Sequence, residues 1–121
     1  MGVLAGRLVL DLGCGIGDQA RDLSSRGAHV LGIDANQSVI DYANRRGIPH
    51  ARFLCDNIAN LKEHAPASDG IWASFTAAYF SQFDRFLDCI DPLLKPAGWL
   101  AITEVDDLFG HEPLAPRWVA L

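Results

Sequence analysis

The chain is poor in most of the features that announce a function by composition. Its cysteines are only three, Cys14, Cys55 and Cys89, far apart and odd in number. They build neither a disulfide framework nor a metal-ligand spacing, and a reducing cytoplasmic setting is expected. Positive charge is scarce: ten basic residues against fifteen acidic ones give a net charge of -5. That removes the electrostatic case for nucleic acid or an anionic membrane as a partner. No apolar run approaches the roughly 20 residues of a membrane span. Residues 1–6 lack the charged region and apolar core of a secretory signal, and Gly6 stands where a myristoylation motif needs Ser or Thr. Repeats, linkers and low-complexity stretches are missing too. Hydrophobic residues are not scarce, at 50% of 121, so one packed domain spanning residues 1–121 is expected.

Short apolar runs alternate with helix-compatible segments. Strands are expected at 8–12, 29–33, 51–55, 70–74 and 99–103. Helices are expected at 18–26, from about residue 37 to Gly47, and at 82–94, the last broken or restarted by Pro92. Residues 58–67 read as a loop with one helical turn, 95–98 as a turn, and 104–121 as a loop with Pro113 and Pro116 leading toward a last helix. The strands are continuously apolar, as strands covered on both faces should be. Their alternation with helices predicts α/β architecture with parallel βαβ units.

The stretch Leu10-Asp11-Leu12-Gly13-Cys14-Gly15-Ile16-Gly17-Asp18 carries the chemistry. Strand, glycine turn and helix in this order place a nucleotide-like ligand at the carboxyl end of a strand. Acidic residues close the first three strands: Asp11, Asp34 and Asp56. Asp34 lies about where a carboxylate reaches a ribose diol, whose two donors match its paired acceptors; a helix cap is the other role open to it. A dinucleotide fingerprint would put its third glycine at position 18, which holds Asp18, and a carboxylate there repels a pyrophosphate. A phosphate loop of the Walker type is excluded, since no Gly-Lys-Ser/Thr follows the turn. The pocket suits an adenosine ligand without phosphates that carries an amino-acid tail and a positive charge.

The run Leu10–Gly17 resembles motif I of class I S-adenosylmethionine-dependent methyltransferases. Gly32-Ile33-Asp34-Ala35 is similar to the family's second motif, Phe53-Leu54-Cys55-Asp56-Asn57-Ile58 to its third, and Leu93-Leu94-Lys95-Pro96-Ala97-Gly98-Trp99-Leu100 to the segment before strand five, with Ala97 where glycine is more usual. The resemblance covers about residues 7–105. It implies a Rossmann-like three-layer sandwich, with a mostly parallel sheet of about five strands in the order 3-2-1-4-5 and helices on both faces. It implies S-adenosyl-L-methionine as co-substrate and no metal. Gly13, Gly15 and Gly17 would pass close to its methionine part, with Asp11 supporting the turn and Cys14 beside it as a small packing residue rather than a nucleophile. Asp34, with Ala35 after it, would hold the ribose. Asp56 would accept from the adenine amino group, Asn57 N–H would face a ring nitrogen, and Ile58 would lie against the base. Ser74 and Phe75 would sit near the sulfonium.

Methyl transfer from a sulfonium is an in-line displacement, and a general base is optional. The family's Asn/Asp-Pro-Pro-Tyr signature is missing after strand four, where the chain reads Ser74-Phe75-Thr76-Ala77. A small-molecule O, N or C nucleophile is therefore the expected acceptor. His111 is the candidate base, against an ordinary loop histidine. Tyr79 and Phe80 wall the acceptor pocket or belong to the core. Glu104, Asp106 and Asp107 read as a solvated loop with capping acids rather than a metal site.

The family's C-terminal hairpin strands and N-terminal covering helices are not evident, the pattern expected of a fragment or a shortened product. Strand five would then have a bare outer edge, an aggregation hazard, covered by a second copy in a homodimer or by a missing segment. Two other readings stand beside the enzyme: a non-catalytic module or partner subunit that binds S-adenosylmethionine or S-adenosylhomocysteine, and a nicotinamide-dependent oxidoreductase, which Asp18 disfavours.

Overall fold

The computed structural model describes residues 4–63, 65–75, 83–104 and 117–120, with the backbone alone at 62, 75, 83, 84, 103, 104 and 117–120. In chain order the elements are β1 (Leu8–Leu12), α1 (Asp18–Ser25), β2 (His29–Asp34), α2 (Gln37–Arg45), β3 (Ala51–Cys55), β4 (Ser68–Phe75), α3 (Phe83–Ile90), β5 (Leu94–Glu104) and β6 (Arg117–Ala120). Single 3-10 segments occupy Ile58–Glu63 and Asp91–Leu93. The second carries Pro92 in its first turn, where a proline lacking its N–H is tolerated, so α3 stops before it as expected.

The strands lie in the order β3-β2-β1-β4-β5-β6. The first five are parallel, in the expected order 3-2-1-4-5. Side chains alternate between the two faces of the sheet. On one face Leu10, Leu12, Ile33, Ile71, Ala73, Leu100 and Ile102 meet Phe86 and Ile90 of α3, with Leu61 and Leu93 from the 3-10 segments. On the other, Val9, Val30 and Phe53 meet Ala20 and Leu23 of α1, Ile40 and Ala43 of α2, and Ile48. Each fully buried Leu, Ile or Phe contributes roughly 1.5–3 kcal/mol.

Two expectations about the far side of the sheet are corrected. The chain does not lack a C-terminal antiparallel strand: β6 runs antiparallel along β5, with Trp99 opposite Ala120 and Ile102 opposite Arg117. The edge of β5 is therefore paired by the chain's own residues from Trp99 to Ile102. Four residues are too few to display a strand period, which is why 117–120 read as loop. β4 also begins earlier than expected, at Ser68, which pairs with Leu94; the next pair is Gly70 with Trp99, so residues 95–98 loop out of the ladder. Ser68 is buried, and its hydroxyl donates to the Leu93 carbonyl at 2.9 Å, which holds the start of the strand in place.

Candidate functional site

The carboxyl ends of β1, β2, β3 and β4 line one end of the sheet, and the glycine turn lies there against β4. A Cβ built on Gly13 would stand 2.3 Å from the Ser74 carbonyl oxygen, so only glycine, here at φ 73°, lets the turn approach that strand. A Cβ on Gly15 would meet nothing within 4 Å. Among the described residues the space above Gly15 is thus unfilled, whereas Gly17 is packed: its Cβ would stand 3.0 Å from Ile48 and Phe53 side-chain carbons.

Four of the turn's N–H groups are used inside the protein. Gly13 and Cys14 N–H both donate to the Ile33 carbonyl, at 2.8 and 3.0 Å, and Gly17 N–H donates to the Cys14 carbonyl at 3.0 Å. Gly15 N–H donates to Asp34 Oδ2 at 3.0 Å. A phosphate cradle needs such groups free and aimed at the ligand, and these four are not. The other carboxylate oxygen of Asp34, Oδ1, accepts from Asn36 N–H at 3.0 Å. The cap of α2 is Asn36, whose side-chain oxygen accepts from Ser38 N–H at 2.9 Å and Val39 N–H at 3.4 Å. Capping therefore does not account for Asp34. Each of its oxygens keeps a further acceptor site.

Asp11 departs from the role expected of it. It is 1% exposed, and neither carboxylate oxygen has a hydrogen-bond partner. It does not hold the turn by hydrogen bonds; the Ile33 carbonyl and Asp34 do. Burial, with a smaller contribution from the Asp34 carboxylate, pushes its carboxyl up to about 7. The same burial and the carboxylates of Asp11 and Asp34 push the Cys14 thiol well above its ordinary range, and its Sγ donates to the Gly15 carbonyl at 3.5 Å. Cys14 is buried and packs with Val9, Ala20 and Phe53.

Asp56 follows β3, and its N–H donates to the Asp34 carbonyl at 3.1 Å, which brings the second and third acidic strand ends together. Asn57 N–H donates to Asp56 Oδ1 at 2.7 Å, so to face a ligand ring nitrogen it must first leave that carboxylate. Ala35 is exposed, and its carbonyl accepts from the Cys55 thiol at 3.5 Å. Ile58 is half-buried and packs on the core. Ser74 is half-buried at the end of β4, and Phe75 follows it. His111, Tyr79, Phe80, Asp106 and Asp107 lie outside the described residues, as does the Glu104 side chain. Among the described residues no three of His, Cys, Asp and Glu gather as a metal site, and no helix is long and apolar enough to cross a membrane.

Sequence reasoning missed Arg46. Its guanidinium Nη1 donates to the Ile16 carbonyl and to Asp18 Oδ1, each at 2.8 Å. Asp18, expected to repel a pyrophosphate, has its charge balanced by that ion pair, so the case against phosphate rests on the engaged N–H groups. A basic residue at a helix end has an ordinary reading, complementing the dipole, and nothing in the sequence points it at the turn.

The family model for a methyltransferase domain matches residues 9–98. The rat mitochondrial ubiquinone biosynthesis O-methyltransferase is 32% identical over 114 residues, covering 85% of this chain and 32% of that protein. The trans-aconitate 2-methyltransferase of Delftia acidovorans is 35% identical over 107 residues, covering 84% of this chain and 39% of that protein. The chain thus spans only about a third of the length of these curated relatives. Among solved structures, the plantazolicin methyltransferase BpumL in complex with SAH superposes with a TM-score of 0.72 at 28% identity, covering 83% of this chain and 39% of that one. A TehB-like SAM-dependent methyltransferase from Corynebacterium glutamicum gives 0.69 at 29% identity, covering 82% and 55%. The match over most of the chain, on a fold with the glycine turn and Asp34 set at its carboxyl end, places this chain in the methyltransferase-domain family.

Proposed function

We propose that this chain is the S-adenosylmethionine-binding core of a cytoplasmic methyltransferase whose acceptor is an O, N or C nucleophile of a small molecule. The observation that carries the reading is the state of the glycine turn. Four of its N–H groups are engaged within the protein, while among the described residues nothing stands within 4 Å of a Cβ built on Gly15, beside Asp34. Such a turn admits a ligand to close approach and offers it a carboxylate, with those four N–H groups not free for a phosphate. The Asp34 carboxylate makes the surroundings negative, which favours a sulfonium and an ammonium over an anion. Relatives named for ubiquinone biosynthesis and for trans-aconitate support a small-molecule acceptor. Three free thiols suit a reducing compartment.

When bound, S-adenosylmethionine supplies a methyl group on a positively charged sulfur, already activated for in-line displacement. The protein's part is to hold and align, and such orientation is worth roughly 7–11 kcal/mol. Asp34 would accept from both ribose hydroxyls through the acceptor sites that Gly15 and Asn36 leave. Asp56, Asn57 and Ile58 would border the base, and the approach of Gly13 to Ser74 would set where the donor meets the end of β4. Burial keeps Asp11 from touching a ligand. Cys14, held as a thiol, does not compete for the methyl group.

Calorimetric titration with S-adenosylhomocysteine and, separately, NADH tests the reading. Binding of the first and not the second is expected. Asp34→Ala should weaken it about 10- to 100-fold, the equivalent of charge-assisted hydrogen bonds worth roughly 1.5–3 kcal/mol. Preference for NADH, or unchanged affinity in Asp34→Ala, would overturn it. Binding with no transfer to any acceptor in a metabolite panel would assign the chain to a binding module or partner subunit.

A further inference from the structure

We propose that Arg46 is a positioning residue of the cofactor site, one that fixes the Ile16 peptide of the glycine turn before any ligand arrives. The inference rests on the reading of that turn as the S-adenosylmethionine site. Ile16 stands between Gly15 at φ 53° and Gly17 at φ 93°, two left-handed glycines whose lack of a Cβ gives the intervening peptide little steric restraint. Ile16 itself is 41% exposed. The peptide's N–H end, at Gly17, donates to the Cys14 carbonyl at 3.0 Å, and the guanidinium restrains its carbonyl end: Nη1 lies 2.8 Å from the Ile16 carbonyl oxygen.

The Arg46 side chain is laid down rather than solvated. It is 19% exposed, against 61% for Arg7 and 64% for Arg26, which make ordinary surface ion pairs. Asp34 grips the turn at Gly15 N–H, and Arg46 grips the next residue at its carbonyl. The peptide between two flexible glycines is therefore held from both of its neighbouring elements, the end of β2 and the end of α2. Pre-ordering of this kind removes an entropy loss that ligand binding would otherwise carry.

A charge argument alone predicts the opposite outcome. Removing Arg46 leaves Asp18 unbalanced, and a more negative site attracts a cationic ligand more strongly. The sign of the effect therefore separates positioning from simple charge. Arg46→Met keeps much of the apolar stem and loses the guanidinium. It should raise the Kd for S-adenosylmethionine and S-adenosylhomocysteine about tenfold. Arg46→Lys, able to reach one acceptor at a time, should regain most of that loss. Asp18→Asn breaks the ion pair and leaves the bond to Ile16, so it should change affinity by less than about threefold.

A second readout needs no ligand. In the free Arg46→Met chain, the Gly15 and Gly17 amides should exchange about ten times faster, with the β1 and β4 amides unchanged. Unchanged exchange in the turn, or tighter binding of S-adenosylmethionine by Arg46→Met, would overturn the proposal. Failure of the unaltered chain to bind S-adenosylhomocysteine counts instead against the proposed function, and the exchange measurement then decides what Arg46 does to the turn.

Discussion

Two aspartates sit toward opposite ends of the same parallel sheet, in neighbouring strands, and are treated in opposite ways. Asp69, near the start of β4, accepts from Leu8 N–H at 2.8 Å and lies 3.4 Å from Lys95 Nζ and 3.8 Å from Arg7 Nη1. The Leu8 N–H, with the two cations, holds its carboxyl below the usual range. Asp11, in β1 on the crevice side, is buried with no partner and is pushed up to about 7. The first is a joint that ties β1, β4 and the start of β5 together. The second costs stability, since a buried charge without a partner is expensive. Unpaired buried groups are rare in folded proteins and gather where function needs them. The carboxylate at the floor of the sheet is paired, and the one toward the crevice end is buried without a partner.

The contrast breaks most visibly at Asp11. Its folded value is raised above the ordinary 3.8, so between about pH 4 and 7 the folded chain holds a proton that the unfolded chain has lost. Stability from this group is complete below about pH 4, falls as pH rises, and levels off above about 7. The whole window is worth up to about 4 kcal/mol, and roughly 2–3 kcal/mol of it falls between pH 5 and 8. Urea unfolding at those two pH values should show the loss in the unaltered chain and a much flatter response in Asp11→Asn. Parallel responses in the two proteins would mean that Asp11 titrates as an ordinary carboxylate.

Asp69 should give the opposite sign and a smaller effect. Its folded value is lowered below the ordinary 3.8, so its contribution is present above about pH 4 and disappears as pH falls through the folded value. Asp69→Ala should cost about 1–2 kcal/mol at pH 7, chiefly the bond to Leu8 N–H, and should remove part of the acid-side loss. The partly exposed contacts to Arg7 and Lys95 add little. An unfolding midpoint that does not move at pH 7 would show that β1 is tied to β4 by its backbone ladder alone.

The two ends of the sheet were also unequally legible from the sequence. The apolar runs marked the five parallel strands because burial on both faces leaves them continuous, and Gly27 and Gly47 marked where α1 and α2 end. The glycine turn and the acidic strand ends were legible because they are local patterns: Asp34 follows the turn at a spacing that the βαβ unit dictates. What stayed hidden depends on distant partners. Arg46 meets Ile16 across thirty residues of sequence, Phe53 packs beneath Gly17 and Gly32, and the lack of any partner for Asp11 is a property of the finished core. β6 stayed hidden because its four residues follow prolines and show no period. Asn36 displaced Asp34 as the cap because Asp34 turns toward Gly15 instead.

The smallest effect concerns the left-handed backbone at each end. At the crevice that conformation falls on glycine, Gly15 at φ 53°. In the loop-out of β5 it falls on Ala97, at φ 66° and exposed, where a methyl group meets a conformation that suits glycine. A left-handed L-residue costs roughly 1–2 kcal/mol, and the extra freedom glycine loses on folding returns about 0.5–1 kcal/mol of that. Ala97→Gly should therefore stabilise the chain by about 0.5–1 kcal/mol, raising Tm by about 2–5 °C, and leave S-adenosylhomocysteine affinity unchanged. A lower Tm would mean that the Ala97 methyl group contributes packing that outweighs its strain. A changed affinity would mean that the floor of the sheet and the crevice are coupled.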